Sequence, residues 1–229
     1  MSYKDYKKNI ILRNQRLIAN LDSGGTTDWV NFENYKLSIA PEVFNPNWGE
    51  GCRMMSKIKD LFIGDVLEIG TGSGILSIFA AEKAAKVIAT DISPHAIECA
   101  KKNILRYKYE NKISLREGSL FSVINDDEKF DTIIFNPPFL KGKIDEKKVN
   151  IKNAYLDNNY IVLESFLKEV KNYLKENGNI YICFGGVGDV GYLNYLIALN
   201  NYNVQIVSFS NSDISDLCFF VYKLSNPKC

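Results

Sequence analysis

Two stretches of this chain combine residue types whose spacing makes sense as chemistry. The first is Glu68-Ile69-Gly70-Thr71-Gly72-Ser73-Gly74. Glycines at alternate positions permit a sharp turn and let the N–H groups at a helix start come close to a ligand. Asp91 follows about 20 residues later, the spacing at which a carboxylate ending the next strand accepts ribose hydroxyls. The alternation is Gly-x-Gly-x-Gly, not the Gly-x-Gly-x-x-Gly of dinucleotide binders, so no phosphate has to be cradled at the third glycine. The second stretch runs into Asn136-Pro137-Pro138-Phe139. An amide or exocyclic amine is a poor nucleophile because its lone pair is delocalised. If the Asn136 side-chain oxygen and the Pro137 carbonyl each accept one N–H, the lone pair can be aimed at an electrophilic carbon. Phe139 offers an apolar face to a flat acceptor group. No strong base is needed before attack, because the proton can leave afterwards.

The elements that must hold these residues follow from hydrophobic pattern. Strands are expected over 66–69, 87–90, 113–116, 132–135 and 180–184, and helices over 75–84, 94–107, 158–176 and 192–200. Ser93 caps the second of these helices and Pro94 opens it. His95 beside them reads as a surface residue at a helix start. Strands at 204–209 and 218–224 have no helix between them, so they form an antiparallel hairpin. Strand–helix alternation demands a mostly parallel sheet covered on both faces, and the strand at 132–135 ends where open α/β folds bind ligands. Upstream, 29–32 and 35–39 read as a short hairpin turning at Glu33-Asn34, and residues 3–21 as an amphipathic helix.

Composition narrows the field. The 229 residues suit one α/β domain with a short N-terminal addition, divided here as 1–45 and 46–229. With 28 basic and 27 acidic residues, the net charge of +1 argues against a protein whose main work is gripping duplex nucleic acid. The 5 scattered cysteines and single histidine form no framework for disulfides or structural zinc, and a reducing cytoplasm is their natural setting. No apolar run is long enough to cross a bilayer. No metal is expected.

Together these motifs resemble class I N-methyltransferases of the Asn-Pro-Pro-Tyr/Phe group, and within it the HemK-type release-factor glutamine methyltransferases. The resemblance extends upstream through Ala40-Pro41-Glu42-Val43-Phe44-Asn45-Pro46. It implies a Rossmann-like α/β fold, with a seven-stranded, mostly parallel sheet whose last strand is antiparallel. It implies S-adenosyl-L-methionine as methyl donor, held by Glu68, Gly70, Thr71, Gly72, Gly74, Asp91, Ile92, Ser119, Leu120 and Asn136. The catalytic residues would be Asn136, Pro137 and Phe139. Three departures bear on the acceptor. The family's larger helical N-terminal domain is replaced by one expected helix. Its Gly-Asp-Leu-Phe appears as Gly118-Ser119-Leu120-Phe121, and Asn47-Trp48-Gly49-Glu50 stands where acidic residues are usual. A protein amide or small metabolite is the expected acceptor. A nucleic-acid base is the alternative, supported by the lysines of 141–152 and the basic N-terminal residues.

Overall fold

A hairpin leads into the chain's main sheet. Strands β1 (Asp28–Phe32) and β2 (Tyr35–Ile39) pair antiparallel, with Phe32 opposite Tyr35. The turn places Glu33 at φ +50°, as the tight connection requires. The computed structural model describes residues 28–48, 50–142, 154–186, 188–212 and 217–227. The expected helix over 3–21 lies outside them, as does most of the lysine-bearing stretch 141–152.

A short helix α1 (Gly51–Ser56) follows, and the alternation then begins: β3 (Asp65–Ile69), α2 (Ile75–Ala81), β4 (Lys86–Asp91), α3 (Pro94–Arg106), β5 (Ile113–Glu117) and β6 (Phe130–Phe135). A two-residue pair, β7 (Leu140–Lys141) with β8 (Leu156–Asp157), comes next. The chain closes with α4 (Ile161–Glu169), β9 (Leu174–Gly185), α5 (Val190–Leu199), β10 (Asn203–Ser212) and β11 (Leu217–Ser225). The seven-stranded sheet has the order β10-β11-β9-β6-β3-β4-β5. Its strands β9, β6, β3, β4 and β5 run parallel, while β11 is antiparallel to both neighbours. The last strand is therefore the reversed one, inserted between β9 and the edge. This is the Rossmann-like methyltransferase architecture expected.

Chain direction along the sheet reverses at β3, whose neighbours are β4 and β6. Loops leaving β3 and β6 diverge there and open a crevice at their carboxyl ends. One face of the sheet is covered by α1, α2 and α3, with Met54, Met55, Ile78, Phe79 and Ala100 fully buried. The other carries α4 and α5 through Leu163, Phe166, Leu193 and Leu196. The hairpin joins the first layer, since Phe32 and Leu37 bury completely within it. Asn103 of α3 fastens it there, accepting from the Ser38 N–H at 2.8 Å and donating to the Ser38 carbonyl at 3.0 Å. The same amide donates to the Ser73 carbonyl at 2.9 Å, so the hairpin and the glycine turn share one clamp.

One expected element is corrected. The long helix over 158–176 is shorter, because Asn159 (φ +56°) and Tyr160 (φ +62°) are left-handed and the helical backbone starts only at Ile161. Asp157, wholly buried, satisfies the new start by accepting from the N–H groups of Val162 (3.1 Å) and Leu163 (3.0 Å). At the other end a 3-10 turn over Val170–Tyr173 hands the chain to β9. Pairing of Phe130 with Leu174 and Thr132 with Asn179 draws 174–179 into the sheet. Local helix propensity loses there to ladder hydrogen bonds and to the salt bridges from Lys175 to Asp131 (2.7 Å) and Asp65 (2.9 Å). Among the described residues no helix is long and apolar enough to cross a membrane.

Candidate active site

The turn after β3 is built by three left-handed glycines, Gly70 (φ +72°), Gly72 (φ +54°) and Gly74 (φ +82°). L side chains pay steric strain at such angles, which accounts for glycine at alternate positions. The turn is sewn to the end of β4. Gly70 and Thr71 both donate to the Thr90 carbonyl, at 2.8 and 2.9 Å. Asp91 closes the arrangement from the side, one carboxylate oxygen accepting from the Gly72 N–H and the other from the Ser93 N–H, each at 2.9 Å. Burial raises the Asp91 pKa above the ordinary carboxylate value, against the lowering effect of these backbone donors.

Beneath the turn, Glu68 is 1 % exposed. It accepts from the Thr71 hydroxyl at 2.8 Å and from the Ser77 hydroxyl. Burial outweighs those hydrogen bonds and pushes its carboxyl up to about 7.

These residues face one crevice with the second motif. Glu68, Gly70, Thr71, Gly72, Asp91, Ile92, Ser119, Leu120, Asn136, Pro137 and Phe139 all line the same cavity. Gly74 does not. A Cβ there would lie 3.0 Å from the Ala100 Cβ and 3.1 Å from its Cα, so this glycine lets α2 start against α3. Ser119 is exposed on the rim, and Leu120 is held left-handed at φ +46°. Ile92, 46 % exposed, leaves an apolar surface uncovered beside Asp91. His95 is exposed and does not line the cavity, in keeping with a helix-start role. The capping reading holds: the Ser93 hydroxyl accepts from the Ala96 N–H at 3.4 Å, with Pro94 opening α3.

Beside the turn, β6 stops at Phe135, the register partner of Ile69, and Asn136 enters the cavity lining. The Asn136 side-chain oxygen is buried and accepts no hydrogen bond. A buried acceptor without a donor is unfavourable by about 1–3 kcal/mol. Phe139 is braced edge-on by Phe184 and Phe219, at centroid distances of 6.0 and 6.5 Å.

Several lining residues lie outside the two motifs. Glu42, Val43, Phe44 and Cys52 come from the segment after the hairpin, and Tyr155, Leu156 and Val162 from the segment around β8. Phe44 meets Tyr155 edge-on at 5.0 Å, closing an apolar wall near Phe139. A weak signal existed for the first group in Pro41-Glu42-Val43-Phe44. Tyr155 has none, because β8 and the loop before it carry no periodic pattern. Cys52 is an inert thiol, with burial raising its pKa to about 12.

A family model described as "Methyltransferase small domain" matches residues 50–186. A protein of Methanocaldococcus jannaschii, described provisionally as a protein N5-glutamine methyltransferase, is 38 % identical over 158 residues, covering 67 % of this chain and 77 % of that protein. A tRNA1(Val) (adenine(37)-N6)-methyltransferase of Bacteroides fragilis is 29 % identical over 147 residues. That match covers 59 % of this chain and 62 % of the relative, so the chain spans less than two thirds of its length. Among solved structures, a ribosomal protein L11 methylase of Lactobacillus delbrueckii subsp. bulgaricus superimposes with a TM-score of 0.58 at 22 % identity, covering 82 % of this chain and 84 % of that one. The last likeness concerns the fold alone.

Proposed function

The chain belongs to the small-domain methyltransferase family, and from that premise we propose that it transfers a methyl group from S-adenosyl-L-methionine to a planar nitrogen, a protein amide in the first instance. The observation that carries the reading is the buried, unpartnered Asn136 oxygen in the same cavity as the glycine turn. It is the acceptor that an incoming N–H group would need.

The donor-side residues fit that cofactor. Asp91 retains acceptor capacity on both oxygens for ribose hydroxyls, beyond the one backbone donor each already receives. The turn at Gly70 and Gly72 leaves open space: a Cβ at Gly72 would meet nothing within 4 Å. Ile92 and Leu120 supply apolar faces for a purine, and the Ser119 hydroxyl can pair with its amine, with less charge assistance than an acid would give. Glu68 supplies negative charge beneath a cationic ligand. When bound, S-adenosyl-L-methionine supplies a methyl carbon made electrophilic by its sulfonium.

On the acceptor side, the Asn136 oxygen and the Pro137 carbonyl each take one N–H of the substrate amide, fixing the plane of its nitrogen. Phe139 stacks on that plane, while Phe44 and Tyr155 exclude water around it. Residues 40–45 act as a cover on the substrate side, since Glu42, Val43 and Phe44 enter the cavity wall directly after the hairpin.

The test is incubation with methyl-labelled S-adenosyl-L-methionine and fractionated cell lysate. Label stable in protein and released as N5-methylglutamine after proteolysis is the expected result. Label in RNA, lost on ribonuclease treatment, would replace the amide with a base as acceptor. Failure to bind the labelled donor would remove the reading altogether.

A further inference from the structure

Precise aim of a nitrogen lone pair needs the Asn136 carboxamide to be held still, yet its oxygen accepts no hydrogen bond. Packing must set its position. The nearest neighbour in that respect is Gly51, the buried first residue of α1. A Cβ on Gly51 would fall 2.5 Å from the Asn136 Oδ1, 2.8 Å from its Nδ2 and 3.0 Å from its Cγ. The whole face of the carboxamide lies where a side chain would be. Gly51 has no backbone need to be glycine. The left-handed glycines among the described residues are Gly64, Gly70, Gly72 and Gly74, and helix propensity at Gly51 would favour alanine.

We infer that Gly51 is a positioning residue, whose missing side chain forms the seat of the Asn136 carboxamide and so sets where the acceptor nitrogen is held. This rests on the proposed role of Asn136. It also gives α1 a place in catalysis that neither motif reveals. A methyl group at Gly51 must displace Asn136, because the atoms it would strike belong to that flexible side chain and not to backbone. A shift of about 1 Å in a group that orients a reacting atom can reduce turnover roughly 100-fold. Donor binding rests mainly on the glycine turn and Asp91 and is expected to be spared.

The experiment uses the full chain as Gly51→Ala, Asn136→Ala and the double variant. The probe is the lysate protein fraction that the unsubstituted enzyme labels. Gly51→Ala should melt at the same temperature or higher, bind S-adenosyl-L-methionine within threefold of normal, and turn over at least tenfold more slowly. Its crystal structure should show the carboxamide rotated away. In the Asn136→Ala background the same substitution should have no further effect on rate, because nothing remains to be displaced. Should Gly51→Ala instead destabilise the fold, the double variant should recover the lost melting temperature. Absence of that recovery would overturn the seat. So would wild-type turnover in Gly51→Ala when Asn136→Ala is inactive, or equal further losses in both backgrounds. If Asn136→Ala itself turns over normally, the proposed role of Asn136 fails, and an unmoved carboxamide in the Gly51→Ala crystal would then be needed to reject the seat as well.

Discussion

The two sides of the cavity, the turn after β3 and the strand end of β6, are built on opposite principles. At the glycine turn the Thr90 carbonyl, Asp91 and Glu68 are already paired. Thr90 takes two backbone N–H groups, Asp91 takes two more, and Glu68 takes two hydroxyls. On the β6 side the Asn136 oxygen accepts no hydrogen bond and is pressed against a bare glycine. The first end is rigid because its own hydrogen bonds fix it, and a ligand adds to a finished surface. On the proposed function, the second keeps an acceptor that a substrate N–H would fill. A methyl donor common to many enzymes suits the first design, and an acceptor that must be oriented to react suits the second.

The largest test of this contrast is Asn136→Ala. Removing an unpaired acceptor should cost little stability, while turnover falls roughly 100- to 1000-fold, the range for loss of one orienting hydrogen bond in a closed site. Donor affinity should stay within a few-fold by calorimetry. A large fall in melting temperature would mean that the end is not open as described. At the other end, Asp91→Ala should do the reverse. It strips the acceptor from Gly72 and Ser93, loosens the turn, and should weaken donor binding about 10- to 100-fold, with turnover at saturation nearly kept. A rate loss persisting at saturating donor would blur the division.

A smaller effect, but a sharper one, is expected from Glu68. Its folded carboxyl titrates near 7, above the ordinary value of 4.5. The native state therefore holds a proton that the unfolded chain has lost between those values. Stability without ligand should fall as pH rises across that window and level off above it. Affinity for a cationic donor should move the other way, rising toward pH 7 as the carboxylate forms. Glu68→Gln should flatten both profiles in thermal melts and titrations from pH 5 to 8. Parallel slopes for stability and affinity would show that the donor does not sense Glu68.

The glycine-turn side was legible in the sequence because its parts are near neighbours: one turn of seven residues and an acid at the end of the next strand. Glycine at left-handed positions leaves a mark that composition alone can show. Gly74 belongs to the same turn at φ +82° but packs against Ala100 and does not line the cavity. The Asn136 side was legible only in Asn136-Pro137-Pro138-Phe139. Its walls come from Phe44, Gly51 and Tyr155, which lie up to 111 positions apart in the chain (155 − 44) and share no local pattern. A mostly parallel sheet closed by an antiparallel hairpin could be expected from strand–helix alternation, but not its strand order. The early end of the helix at 158–176 could not, because two left-handed residues and the pull of β6 on 174–179 decide it. Non-local pairing overrode a good helical sequence.

Those left-handed residues lead to the mildest prediction, at Tyr160. Its hydroxyl donates to the Phe139 carbonyl at 3.3 Å and accepts from the Asp189 N–H at 2.8 Å, tying the end of the second motif to the start of α5. Gly188 is part of the same tie, since a Cβ there would come within 2.5 Å of the Phe139 carbonyl. Left-handed backbone at a bulky residue is unfavourable by about 1–2 kcal/mol, and the two hydroxyl contacts help offset it. Tyr160→Phe keeps the ring among Phe184 and Tyr192 but leaves the Asp189 N–H without its partner. Stability should fall by about 1–2 kcal/mol in denaturant titration. Phe139 would keep its braces on Phe184 and Phe219 but lose one restraint on its backbone. The KM for the acceptor should therefore rise a few-fold with kcat nearly unchanged, because the Asn136 oxygen itself is not touched. A fall in kcat comparable to that of Asn136→Ala would mean that the acceptor end owes its order to Tyr160, and that its openness is less local than the unpaired oxygen suggests.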